Sequence, residues 1–268
     1  MAKGKARTKL LNHSAGLVGG NAGGSSWGFI YQTSTVKHPD YNIGDRVALP
    51  DGREFVYAKS AAACHTNKAC EFTATGYVSY TAFATNHAVG DADVTVPAAT
   101  HAALAEDELR GGYVIIFDGA ATSYIQFRGI IGNDAAAANA AFNVYLDGPL
   151  TDAVASGTEA IEVYQNPFAA LQDGGTTTLP IAGLPATEVS AANKYFWVQV
   201  KGLCWSSPQA GVGGTNGQFG AFWRHDGSIE KADTALATTV PAFSSSQYAG
   251  YCVEGNATNN GPLFMLQG

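Results

Sequence analysis

Long charged side chains are what this sequence has least of. Asp, Glu, Lys and Arg make up 14% of its 268 residues, against roughly 25% in an average soluble protein. Small and polar residues stand in their place, 32 glycines among them. A surface of this kind immobilises few long side chains when it is covered, so it suits a protein that sits against neighbours, and composition alone fits a secreted β protein equally well. The charge that remains is acidic, with 22 Asp and Glu against 15 Lys and Arg and a net charge of −7. That balance argues against specific nucleic-acid binding, which needs a clustered basic face. No apolar run approaches the roughly 18 residues of a membrane span, so no membrane partner is expected. Four cysteines are few for a disulfide-built fold. Lys3, Lys5, Arg7 and Lys9 lead into Leu10-Leu11-Asn12-His13-Ser14 rather than into a sustained apolar core. A signal peptide is therefore not expected, and the chain reads as made and folded in a cytosol.

Catalytic motifs are also missing. Gly211 to Gly217 lacks the lysine and hydroxyl residue that end a phosphate loop, and reads as a glycine-rich hairpin loop. There is no G-x-S-x-G elbow and no H-E-x-x-H pair. Cys64-His65 with Cys70 resembles a metal-ligand cluster, but zinc takes four ligands and a fourth is missing here. Cys204 and Cys252 fall in or beside strands and read as small core hydrophobes. His225-Asp226 stands at an Asp-Gly turn, which explains the pair better than catalysis does. Trp205, Trp223, Phe219 and Phe222 admit two readings, core aromatics or a sugar-stacking platform. No catalytic, cofactor-binding or metal-binding residue is assigned, no cofactor is expected, and an enzyme is not.

Short strands and turns fill most of the chain. Arg46-Val47-Ala48-Leu49 and Glu54-Phe55-Val56-Tyr57-Ala58 flank Pro50-Asp51-Gly52, a β-hairpin with Val47, Leu49, Phe55 and Tyr57 on one face. Further strands are expected at 71–83, 94–96, 113–117, 124–131, 142–146, 159–165, 195–200, 218–224, 247–253 and 263–267. Thr100 to Leu109 is the best helix candidate, closed by Gly111-Gly112, and Ala61 to Cys70 reads as one short helical turn. Regular strands with turn chemistry between them indicate an all-β protein of antiparallel sandwich or barrel units. The Gly-, Thr- and Pro-rich stretch 172–185 suggests a boundary. The expected organisation is a flexible N-terminal arm at 1–42, a main β domain at 43–175 and a smaller C-terminal β domain at 176–268. In the arm, Gly16 to Ser26 is a tether, and Trp27, Phe29 and Tyr31 are anchors for a partner. Lys3, Lys5, Arg7 and Lys9 add a basic tip suited to an acidic surface.

Several phrases also resemble segments of tailed-bacteriophage structural proteins. They are Leu49 to Lys59 (LPDGREFVYAK), Gly111 to Ile115, Tyr124 to Ile130, Val144 to Leu150, Tyr164 to Phe168 and Tyr195 to Gly202. Their order along the chain is similar to that of capsid decoration, or cement, proteins. The resemblance implies a non-enzymatic virion protein on the outside of a capsid, with the major capsid protein as partner. It also implies association with copies of itself, in trimers for many such proteins. The alternative from the residues alone is a carbohydrate-binding or fibre-type β-sandwich module, with exposed aromatics around Trp205 and Trp223.

Overall fold

A computed structural model describes residues 27–73, 76–119, 124–175, 179–208, 212, 219–231, 247–255 and 263–267. The tether and the basic tip, Lys3, Lys5, Arg7 and Lys9, lie outside the described residues, as does most of the glycine-rich 211–217 loop. The protein is all-β. In chain order the strands are β1 Arg46–Ala48, β2 Glu54–Lys59, β3 Cys70–Phe72, β4 Gly76–Ala82, β5 Asp93–Val96, β6 Tyr113–Phe117, β7 Tyr124–Asn133 and β8 Phe142–Leu146. They continue with β9 Ala160–Tyr164, β10 Leu171–Asp173, β11 Ile181–Pro185, β12 Tyr195–Trp205, β13 Gly220–Trp223, β14 Ile229–Lys231, β15 Tyr248–Glu254 and β16 Leu263–Leu266. These strands form two antiparallel sheets, one of ten strands and one of six, each belonging to its own compact unit.

The division differs from the one expected. Residues 74–167 form one unit, and the chain on either side of them, 27–73 and 168–267, forms the other. The 43–60 hairpin therefore shares no unit with β4 to β9, which fall within residues 74–167. It pairs with β12, in register from Tyr195↔Lys59 through Trp197↔Tyr57 to Gln199↔Phe55. The stretch at 172–185 is no boundary either, because β10 and β11 both pair with β3 in the same sheet. Gly183 and Pro185 there lie inside β11 itself, and composition alone does not separate an irregular strand from a linker.

The six-stranded sheet runs β4-β9-β6-β7-β8-β5. Its inner face is written by strict alternation: Val114 and Ile116 on β6 meet Val163 and Ile161 on β9, and Val94 and Val96 on β5 meet Val144 and Phe142 on β8. All of these belong to one buried core. The expected helix at Thr100–Leu109 is instead a turn-rich loop across that core. Leu104 bridges Ala136 with backbone bonds of 2.9 Å in both directions, and Asp107 has φ +59°. Fully buried Asn133 accepts the Leu109 N–H at 2.7 Å and donates to the carbonyls of Ala105 and Asp134. Tertiary partners thus satisfy the backbone that a helix would have used, and one alternation-free decapeptide has no apolar stripe to resist them. The turn expected at 61–70 is likewise non-helical, with Cys64 bridged to Val189.

In the larger unit β2 is buried on both faces. Phe55 and Tyr57 join Val47, Leu49 and Trp197 on one side, and Val56 and Ala58 join Phe196 and Val198 on the other. The eleven-residue β12 serves two neighbours in succession. Its first half pairs with β2, and its second half pairs with β16 from Gly202↔Leu266 to Trp205↔Leu263. The changeover falls at Gly202, with φ +94° and a site for Cβ only 2.7 Å from Arg53 Cα. At the hairpin turn, Gly52 has φ +86° but open space around it. The two glycines thus separate conformational from steric constraint. Gly52→Ala should cost about 1–2 kcal/mol of left-handed strain, whereas Gly202→Ala adds a backbone collision and should lower the midpoint of chemical unfolding further. Equal midpoints for the two variants would contradict the changeover described.

Candidate interaction surfaces

The three aromatic anchors read from the sequence are brought together, and onto their own sheet. A 3-10 turn at Gly28–Tyr31 follows Trp27, and Ile30 within it is fully buried. Phe29 stacks on Tyr41 at 5.6 Å between ring centroids and meets Trp197 edge-on at 5.6 Å. Trp27 lies 6.4 Å from Phe29. Ser34 then bridges Tyr195, donating and accepting backbone bonds of 3.0 and 2.7 Å. Tyr31 points outward, 47% exposed, and its hydroxyl accepts a 3.0 Å bond from Arg53 Nη1. Residues 27–42 are therefore part of the larger unit, closing the Phe55–Tyr57–Trp197 face of β2 and β12, and of the three aromatics Tyr31 is the one presented to solvent, at about half its surface.

Cys64, His65 and Cys70 have gained neighbours that sequence spacing does not show. Cys70 lies cross-strand from Asp173. Asp173 holds His65 twice, through the backbone N–H at 2.7 Å and through Nδ1. Glu188 stands 3.6 Å from His65 Nε2 and accepts the Thr66 N–H at 3.1 Å. Among the described residues, no group of three or more His, Cys, Asp or Glu side chains is arranged to hold a metal ion. All four cysteines are buried free thiols. Burial pushes the Cys70 thiol well up, helped by its hydrogen bond with Cys64 and by the charges of Asp173 and Glu71. Burial likewise pushes Cys204 up to about 12. His225-Asp226 is a turn, as its Asp-Gly sequence indicates. Burial alone would raise the Asp226 carboxyl, but the Ser228 hydroxyl and N–H bonds, with Lys68 and Arg224 nearby, hold it below its ordinary value.

Two outward sheet faces carry apolar side chains that sequence reading did not single out as sites. On the six-stranded sheet, Tyr113 of β6 and Phe127 of β7 stack at 5.2 Å and 15°, exposed by 38% and 53%. Tyr164 lies beside Tyr113 across β9, and Ile115 beside Phe127. On the ten-stranded sheet, Leu203, Met265 and Tyr251 form a row across β12, β16 and β15, with Trp205 and Leu263 as the next pair. Trp205, Tyr251 and Val253 are 46%, 41% and 54% exposed. Trp223 belongs to the opposite, inner face, edge-on to Phe264 at 5.8 Å and 4% exposed. The tryptophans of the expected platform are thus split between surface and core. Leu263-Phe264-Met265-Leu266 is apolar at every position, and such a strand declares two covered faces rather than one. That was the available signal.

Comparison with protein-family models, curated proteins and solved structures finds no match for this chain.

Two measurements check these environments. Thiol titration of the native protein should find all four cysteines slow, because all four are buried away from the reagent, and all four reactive after unfolding; rapid native labelling of Cys70, whose thiolate burial disfavours, would contradict its placement. The hydrogen bond that His65 donates to Asp173, then the Asp173 charge, raises the His65 pKa above 6.5, with Glu188 adding to it and desolvation and Lys68 opposing. A raised histidine stabilises the fold fully below its unfolded pKa and loses that contribution as pH rises through the folded value. The melting temperature should therefore decline from about pH 6 to pH 8, and His65→Asn should flatten that decline. An unchanged slope in the variant would remove His65 from the account.

Proposed function

We propose that this chain is a non-enzymatic virion structural protein of a tailed bacteriophage, made in the host cytoplasm, that binds the outside of the assembled capsid and decorates or stabilises the shell. Its partners in this reading are the major capsid protein and copies of itself. The single observation that carries the proposal is the uncovered aromatic face of the six-stranded sheet, centred on stacked Tyr113 and Phe127. Aromatic side chains at the centre of a contact contribute a disproportionate share of binding energy. The phrases that build this face, Gly111 to Ile115 and Tyr124 to Ile130, are among those that resemble decoration proteins. The chain as a whole is poor in long charged side chains, which lowers the cost of covering its surface. The carbohydrate-binding alternative asks for paired aromatics at Trp205 and Trp223 with hydrogen-bonding side chains between them. Trp223 is buried, and the register neighbour of Trp205 is Leu263.

The basic tip is kept in the proposal as a secondary, salt-screened contact with an acidic shell surface. Because Ile30 and Tyr41 belong to the core, a clean truncation removes residues 1–26 and no more. The test is co-sedimentation of the full chain with capsids stripped of decoration proteins. The full chain should bind saturably. Tyr113→Ser with Phe127→Ser should weaken binding by at least about tenfold, since each buried aromatic contributes around 2 kcal/mol. The truncated chain should lose affinity at low salt and less at high salt. Absence of co-sedimentation by the full chain, or saturable glycan binding by its monomer, would overturn the proposal.

A further inference from the structure

We infer that the outward face of β12, β16 and β15 is where two copies of this chain meet, related by a two-fold axis lying in the plane of that face. This does not rest on the shell proposal, which concerns the other sheet. The face is apolar along both cross-strand rows, Leu203–Met265–Tyr251 and Trp205–Leu263, with Val253 beyond. Half-exposed aromatics leave on the order of 100 Å² each uncovered. With the aliphatic neighbours the patch comes to roughly 500 Å², a fitting apolar centre for an interface of about 800 Å² per partner.

Charge specifies the occupant. Lys201 precedes Gly202, which pairs with Leu266, while Glu254 pairs with Leu263. The two therefore stand at opposite ends of β16 and on opposite sides of it, at diagonal corners of the face. Lys201 is bound to Glu54 at 2.8 Å, but Arg46 also approaches Glu54 at 3.9 Å, so that corner keeps a net positive charge. The Glu254 corner is negative. A two-fold axis perpendicular to the diagonal places Lys201 of each copy over Glu254 of the other, satisfying both pairs at once. An isologous contact requires this self-complementarity, and opposite charges across the rim fix its register.

Sedimentation equilibrium of the full chain should show a reversible monomer–dimer system. Trp205→Glu, and separately Tyr251→Lys, should weaken the dimer by at least about tenfold while leaving the melting temperature close to that of the parent chain. Lys201→Glu or Glu254→Lys alone should weaken it, and the two together should restore it. A chain that is monomeric up to about 100 µM, well above a micromolar dissociation constant, overturns the inference, as does a trimer. A dimer insensitive to Trp205→Glu overturns the face, and failure of the double charge exchange to restore association overturns the two-fold arrangement.

Discussion

The pairing of β2 with β12 is the interaction on which the larger unit depends. It joins residues 54–59 to 195–201 and lies between two buried clusters. One is the aromatic group of Phe55, Tyr57, Trp197 and Tyr41, and the other is the aliphatic group around Val56, Phe196 and Val198. Because both faces are covered, a register slip of one residue would exchange the two sets of side chains and fit neither. The strands on either side take their positions from this pair: β1 on β2, then β11 and β16 on β12. Even the aromatic segment at 27–31 takes its position from Trp197.

A pairing of such sequence separation leaves room for an inserted unit. The chain departs after β3 and returns just before β10, and these two strands pair, with Leu171 opposite Phe72. Thr73 donates twice to the Ala170 carbonyl, and Phe72 meets Phe168 edge-on at 5.2 Å. Within the inserted unit, Gly76 pairs with Tyr164. Termini held side by side are what allow a domain to be inserted without disturbing its host. Each unit then keeps one apolar outward face, and the two faces supply the separate contacts proposed with a shell and with a second copy.

Local chemistry was legible in the sequence where apolar residues alternate along a strand or a turn residue is diagnostic. Val47, Leu49, Phe55 and Tyr57 alternate and form the face they imply, and the Asp51-Gly52 turn has the positive φ that glycine permits. The strands at 113–117 and 142–146 were equally plain. What was not legible is non-local. Nothing near Glu54 says that its partner strand begins at residue 195, so the boundary was drawn instead at the Gly-, Thr- and Pro-rich stretch 172–185. The apparent helix at 100–109 depended on composition, and Asn133, more than twenty residues away, decides the conformation there. Trp27, Phe29 and Tyr31 read as anchors for a separate partner, whereas Trp27 and Phe29 pack against the core around Trp197 of the same chain, a contact that sequence alone does not name. Leu203 and Met265 escaped notice because core and surface positions are both apolar along β12 and β16.

Native-state hydrogen exchange on the full chain tests the organising role of the β2–β12 pair most directly. Amides of Phe55 to Ala58 and of Phe196 to Gln199 should open together, with the largest protection in the larger unit, while those of β6 and β9 form a separate cooperative group. If β2 instead exchanges early with β1 as an independent hairpin while β12 remains protected, the pairing is peripheral and the account fails.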